Sequence, residues 1–237
     1  MAQYRMNEYD QPVGLDLPDW TKRSRPCADR LEGQYCRLEH LDFKKHKDDL
    51  FEAYRNTEAS SWTYLPHGPF QDEEVFSLYL SAIAASNDPF HYAIIDYANG
   101  KAMGSLSLMR IDTYSGVVEV GHIIYSDALK KSRVATETQY LLMRYVFDDL
   151  GYRRYEWKCD ALNAPSRAAA SRLGFQYEGI FRNAVIYKNR TRDTAWYAMI
   201  EEDWPALKEA FCSWLNEDNF DEEGRQISKL EHFRKKT

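Results

Sequence analysis

The sequence predicts a mixed α/β domain, a mostly antiparallel sheet of about seven strands flanked by helices, with a strand-helix-strand unit at its centre. Three observations predict it. Asn99-Gly100 stands between strand-like runs at 92–96 and 102–109, and Val117–Tyr125 follows, which makes an antiparallel meander. Between Arg133 and Leu150 the apolar residues Val134, Leu141, Leu142, Tyr145 and Val146 recur at i, i+7, i+8, i+11 and i+12, one face of a long helix ended by Gly151. A short strand at 155–159 then follows that helix, so the chain crosses from strand to strand.

The other elements follow in order. Residues 35–41 read as a first strand, and 44–55, with Leu50, Phe51 and Tyr54, as a helix. Residues 60–70 hold Trp62, Tyr64 and Phe70 beside His67, two prolines and a glycine, an aromatic loop with no solvating charge, of the kind that covers something. A second helix is expected over 72–86, where Val75, Phe76, Leu78, Tyr79 and Ile83 keep helical spacing. Asn163-Ala164-Pro165-Ser166 opens another, since Asn caps and Pro is tolerated in a first turn, and Gly174 closes it. Strands at 176–188 and 193–200 and a helix at 203–215 complete the domain. Its expected bounds are 34–205, between an N-terminal arm (1–33, with Pro12, Pro18 and Pro26) laid on the surface and a C-terminal helix with a charged tail (206–237).

Composition removes several functions. With 44% hydrophobic and 29% charged residues the chain is not globally disordered. Its longest apolar run, 195–200, is far short of the ~20 residues that span a bilayer, so no membrane partner is expected. Residues 1–10 lack the apolar stretch of a secretory signal, which points to the cytoplasm. Cys27, Cys36, Cys159 and Cys212 form no CxxC and read as reduced thiols, and no metal site is expected. A net charge of −6 argues against direct nucleic-acid binding, though not against a local basic pocket. Neither GxxxxGK[ST] nor GxGxxG is present, so nucleotide hydrolysis and dinucleotide redox have no support.

Chemistry concentrates at two places. Where the third meander strand meets the long helix, Lys130, Lys131 and Arg133 surround a helix N-terminus, whose free N–H groups and positive dipole end favour phosphate. One crossover later come Asn163 and Ser166, then Arg172-Leu173-Gly174-Phe175 and Glu178-Gly179. Asn163 with Ser166, and the Gly174-Phe175 pair, resemble the second signature segment of the GNAT superfamily of acyl-CoA-dependent N-acyltransferases. Lys130 to Ala135 lies where that superfamily carries its pyrophosphate loop, Q/R-x-x-G-x-G/A. Thr136-Glu137 and Glu178 to Arg182 are similar to the branch typified by RimJ and RimL. The likeness covers about residues 34–205, and it departs from the pattern at Arg133, which stands in place of the first loop glycine.

The resemblance implies an acetyl-CoA-dependent N-acetyltransferase acting directly on a primary amine in a ternary complex. The cofactor-binding residues it implies are Ile123, Ile124 and Tyr125 through their backbone, then Lys130, Lys131, Ser132, Arg133, Val134, Ala135 and Thr136, with Asn163 and Ser166. Glu119 matches the general-base glutamate of some members, and His122 is its rival, with a pKa naturally near neutral. Strict alternation places Glu119, Gly121 and Ile123 on one face, and Val118, Val120 and His122 on the other. Many members carry a Tyr four residues before the Gly-Phe pair to protonate the coenzyme A thiolate, but Ala170 stands there. Ser166 takes that role in the RimL-like branch. Trp62, Tyr64, His67 and Trp196 are the acceptor-side candidates, because aromatic loops wall mostly apolar pockets. The acceptor is expected to be a peptide N-terminus or a small amine, and the assembly a monomer or homodimer. The competing expectation is a non-catalytic acyl-CoA-binding sensor or interaction module, suggested by Arg133, Ala170 and the unassigned arms.

Overall fold

The computed structural model describes residues 4–234. Its strands are β1 (Arg5–Met6), β2 (Pro12–Val13), β3 (Arg30–Glu32), β4 (Cys36–His40), β5 (Phe90–Asp96), β6 (Ala102–Asp112), β7 (Val117–Tyr125), β8 (Arg154–Asp160), β9 (Gln176–Tyr187) and β10 (Arg190–Ile200). The helices are α1 (Phe43–Arg55), α2 (Glu73–Ala84), α3 (Arg133–Arg144), α4 (Ala164–Leu173), α5 (Trp204–Leu215) and α6 (Leu230–Phe233). β1 and β2 form a separate ribbon.

Short polar side chains start the helices. Asp42 accepts from the Lys45 N–H before α1, Asp72 from Glu74 and Val75 before α2, Ser132 from Ala135 before α3, and Asn163 from Ser166 before α4. Each satisfies donors that the first helical turn leaves free. Gly174 ends α4 at φ 103°, where a side chain would be strained. The helix expected to run to Leu150 instead widens after Arg144 into a π-turn, Tyr145–Asp149, in which the Leu150 N–H reaches back to Tyr145 O.

The main sheet has eight strands in the order β3-β4-β5-β6-β7-β8-β10-β9, antiparallel except where β7 meets β8. The added strand comes from the arm. Arg30–Glu32 pairs with β4 and buries Leu31, a segment too short for its alternation to be visible in the sequence. The last hairpin turns at Lys188 and Asn189, both with positive φ, one residue earlier than the 189–192 gap between the expected strands, and β10 already begins at Arg190.

The sheet is covered unequally. Behind it, α3, α4 and α5 bury Leu141, Leu142, Leu173, Phe211 and Trp214 against Leu38, Tyr92, Val118, Trp157 and Tyr197. In front, α1 and α2 pack Leu50, Tyr54, Phe76 and Leu80 onto Ala93, Ile95, Ala102 and Ile124. That apolar layer stops at β7. The front of β8, β10 and β9 carries charged and aromatic side chains instead.

Candidate active site

The site begins where pairing ends. β7 and β8 are parallel neighbours from Val117↔Arg154 to Val120↔Trp157, and beyond that the two strands share no register. Gly121 to Tyr125 therefore keep a strand edge free on the β8 side, while β6 pairs with their other edge. Such an edge offers unmet backbone donors and acceptors to an extended ligand. The N-termini of α3 and α4 close the notch.

A bulge sets what faces the opening. Ser107 pairs with Gly121 and Ser105 with Ile124, so His122 and Ile123 together oppose Leu106, and His122 takes φ 48°. Strict alternation fails here. Ile124 joins the front core and Ile123 packs against the rear one, whereas His122 comes forward, its ring 5.5 Å from that of His91. His122 thus shares the front with Glu119, the reverse of the expected faces.

Glu119 is 3% exposed, and its Oε2 receives Arg110 at 2.7 Å and Lys158 at 2.9 Å. Lys158 also binds Glu156 at 2.7 Å, Arg154 binds Glu156 at 2.7 Å, and Arg154 clasps Glu178 with both guanidinium nitrogens. The result is a chain of alternating charges across β6, β7, β8 and β9. Glu119 Oε1 lies 3.7 Å from where a Cβ on Gly121 would be. Burial lowers the pKa of His122, with further repulsion from His67 and Arg110, so its imidazole is neutral at pH 7. Burial takes His91 down to about 3, again with repulsion from His122 and His40.

The phosphate loop differs from expectation in its side chains. The left-handed residue is Lys131, at φ 59°, and not Arg133. Lys130 donates to Asp127 at 2.6 Å and to Ser61 Oγ, so its charge is matched within the protein. Arg133 lies between two rings, 3.8 Å from the centroid of Tyr35 and 4.5 Å from that of Phe220. What the loop offers an anion is main chain. Of the first-turn N–H groups, the Ser132 side chain takes that of Ala135 at 3.0 Å, and the preceding ones have no partner within the helix. Thr136 Oγ1 accepts from Arg172 at 3.1 Å, which ties α3 to α4 beside the loop.

At α4, Asn163 Oδ1 accepts from the Ser166 N–H at 3.2 Å, so the cap occupies the oxygen and leaves the amide NH2 for a ligand. Ser166 Oγ accepts from Trp157 Nε1 at 3.0 Å, so the hydroxyl proton is the one it has to donate. Cys159 lies beside it. Burial raises that thiol's pKa, and a hydrogen bond with Ser166 draws it partly back.

The acceptor-side candidates divide. Trp62 is 1% exposed and packs edge-on against Tyr54 and Phe70 beneath Gly68, so it belongs to the front core and lines no opening. Tyr64 reaches from the loop to Leu162 O at 3.1 Å, across to the β8–α4 turn. His67 is exposed against Tyr79, and Lys188 on the last hairpin donates to Trp62 O at 2.9 Å and Gly68 O at 3.2 Å. Trp196 stands on the open front, between Lys158 at 3.7 Å and the stacked ring of Phe181 at 4.3 Å. Arg110, Lys158 and Phe181 were not singled out from sequence. The signal for Lys158 was readable, because Arg154, Glu156, Lys158 and Asp160 alternate with Tyr155, Trp157 and Cys159, which marks one charged face.

The chain's relatives carry the same framework. Residues 37–176 match the family described as the acetyltransferase (GNAT) domain. A GCN5-related N-acetyltransferase from Brucella melitensis is 45% identical, superposes with a TM-score of 0.90, and is covered over 99% of its length by 92% of this chain. A GNAT-family chain from Chromobacterium violaceum is 37% identical, with a TM-score of 0.77 over 83% of this chain and 98% of that one. YdaF of Bacillus subtilis, provisionally named a ribosomal N-acetyltransferase, is 26% identical over 110 residues, and the match spans 46% of this chain and 60% of YdaF. With a strand notch ended by a helix N-terminus and a GNAT match over more than half of its length, the chain belongs to the GNAT acetyltransferase family.

Proposed function

We propose that the protein transfers the acetyl group of acetyl-CoA directly to a primary amine, with both substrates bound together. The observation that carries this is the free β7 edge from Gly121 to Tyr125, ended by the α3 N-terminus. The pantetheine arm, an extended amide chain, fits as an added strand along Ile123 to Tyr125, and the diphosphate fits the N–H groups of Lys131, Arg133 and Val134, that of Ser132 being taken by Leu129 O at 3.3 Å. Asn163, through its free amide, supports the same arm. Acetyl-CoA supplies a thioester whose carbonyl is open to attack.

The chain's residues then divide the work. Glu119 Oε1 receives the acceptor's ammonium, held in place because Arg110 and Lys158 fix Oε2. Glu119 is thereby engaged as the holder of the ammonium, and proton removal falls to His122, whose imidazole is neutral. The freed amine attacks the carbonyl carbon, an N–C bond forms, and the C–S bond breaks. Ser166 delivers a proton to the departing thiolate and recovers one from the new amide nitrogen, so the products are the acetamide, free coenzyme A and one proton on His122. A backbone N–H of the Ile123–Tyr125 stretch supports the oxyanion.

The likeness to YdaF and the RimJ/RimL-like motifs favour a protein N-terminus or ribosomal-protein amine as acceptor, worked on in the cytoplasm. The test is calorimetric titration with acetyl-CoA followed by thiol release in the presence of peptides and small amines. Binding with amine-dependent thiol release is expected. Binding without any release would leave a sensor, and no binding at millimolar acetyl-CoA would end the reading.

A further inference from the structure

The whole chain is acidic, with a net charge of −6, and by its overall field should draw cationic acceptors. The hairpin of β9 and β10 reverses that locally. Arg182, Lys188, Arg190 and Arg192 lie on it, and among the described residues none has an ion-pair partner, whereas Arg110, Arg154 and Lys158 of the neighbouring charge chain all do. Lys188 and Arg190 donate to neutral carbonyls, of Trp62, Gly68 and Thr63. The nearby carboxylates are already engaged: Asp160 accepts from Leu162 N and the Tyr187 hydroxyl, and Asp193 from Asn183 N. Burial and Arg190 both depress the pKa of Lys188, and no carboxylate offsets them.

A second observation is independent of charge. Arg192 Nε, Thr194 Oγ1 and Trp196 Nε1, three polar atoms within five residues of β10, are buried without a hydrogen-bond partner. Orphaned buried donors are costly and rare, and a cluster of them on one strand calls for a ligand. Two of the three can only donate. Beside them an open surface hollow is lined by Phe181, Arg182 and Asn183. Arg192 lies 6.0 Å over the ring of Tyr187, whose hydroxyl reaches Asp160, the residue paired with Thr194, so the group is one neighbourhood.

We propose that the acceptor is an amine that also bears an anionic group, a carboxylate or a phosphate, held by Arg182, Arg192, Thr194 and Trp196 on the last hairpin. The proposal rests on the acetyl-transfer reading above and names the acceptor class of that site. A polyamine is a poor acceptor in these terms, because its second cation would meet the unpaired cations and donors of the hairpin.

The test compares matched acceptors at fixed acetyl-CoA: glycine against glycinamide, O-phosphoethanolamine against ethanolamine, and two peptides of one sequence differing only by Asp or Asn at positions two and three. The anionic member of at least one pair is expected to show a kcat/KM roughly ten- to a hundredfold higher, the worth of one charge-assisted hydrogen bond. Which pair responds separates carboxylate, phosphate and acidic peptide. That ratio should shrink in Arg182→Ala and in Arg192→Gln, with Tm measured for each, and should fall with added salt. Arg182 is exposed, so its variant keeps the test alive if Arg192→Gln misfolds. Equal turnover within every pair, or a ratio unchanged in both folded variants, overturns the proposal. Acetyl-CoA binding with no turnover of any amine overturns the catalytic reading beneath it.

Discussion

A Cβ on Gly33 would stand 2.6 Å from the carboxylate carbon of Glu137, so the turn before β4 and the second turn of α3 are in direct backbone-to-carboxylate contact. Glu137 is 3% exposed and accepts three main-chain donors, the N–H groups of Gln34 at 2.7 Å and of Tyr35 and Cys36 at 2.8 Å each. This carboxylate fixes where α3 begins. Glu137→Gln replaces one acceptor by a donor facing those groups and should cost about 1.5–3 kcal/mol. Gly33→Ala should cost about 1–3 kcal/mol by overpacking. Chemical denaturation reads both, and values within ±0.5 kcal/mol, the range of ordinary surface changes, would contradict the account.

Lys158 carries the middle of the charge chain. Lys158→Met leaves Glu119 with Arg110 alone and Glu156 with Arg154 alone, and should destabilise by about 1.5–3 kcal/mol, the worth of a charged hydrogen bond. Adding Glu119→Gln should return part of that loss, since it removes one of the two carboxylates that lost a cation. A double-mutant cycle with no coupling would mean that the ion pair at 2.9 Å contributes nothing.

Catalysis should separate Glu119 from His122. His122→Asn should lower kcat by about a hundredfold or more, the usual worth of a placed base. Because the pKa of His122 is depressed, the native acid limb of kcat/KM should lie below the ordinary histidine value of about 6.5 and disappear in the variant. Glu119→Gln should chiefly raise the acceptor's KM. If it abolishes the acid limb while His122→Asn retains it, the two roles are exchanged.

His91 makes the fold sensitive to acid. Its folded pKa is about 3 against about 6.5 unfolded, so below pH 6.5 the unfolded chain binds the proton first. Stability is therefore full above pH 6.5 and falls toward pH 3, by at most about 1.4 kcal/mol per pH unit from this group. In His91→Asn the slope of unfolding free energy against pH should flatten across that window. An unchanged slope would place the proton uptake elsewhere.

Arg133 holds the C-terminal segment to the mouth of the notch through Phe220, and Gln34 adds a bond to Glu217 at 2.9 Å. Arg133→Ala should leave the domain folded but expose 216–234 to proteases faster than the native chain. Equal cleavage rates would show that the stacked guanidinium does not retain the tail.

The sequence made the elements legible because their signals are local: a cap, an Asn-Gly turn, a glycine stop. The notch was legible only by resemblance, since nothing within β7 or β8 announces that their pairing stops at Val120. His122 shows a different limit. Its φ of 48° exchanges the faces of Ile123 and Ile124, and a bulge of one residue has no marker in a Val- and Ile-rich strand. Trp62 was read as a pocket wall because its loop looks like a cover, but the glycine at 68 lets the backbone lie on the indole and seals it inside. Arg133 found Tyr35 and Phe220, 98 and 87 positions away in the chain, contacts that no local pattern encodes.

The join between β7 and β8 also has a mechanical meaning. It divides the sheet into two leaves, β3 to β7 and β8 to β9, whose strands pair only along Val117–Val120 and Arg154–Trp157 among the described residues. At the open end no backbone pairing of the sheet bridges them. A ligand lying there is a strut, and it stiffens the molecule by completing the fabric of the sheet. Amide exchange in Gly121 to Tyr125 should slow most on its arrival, because those are the hydrogens that the chain alone leaves without a strand to hold them.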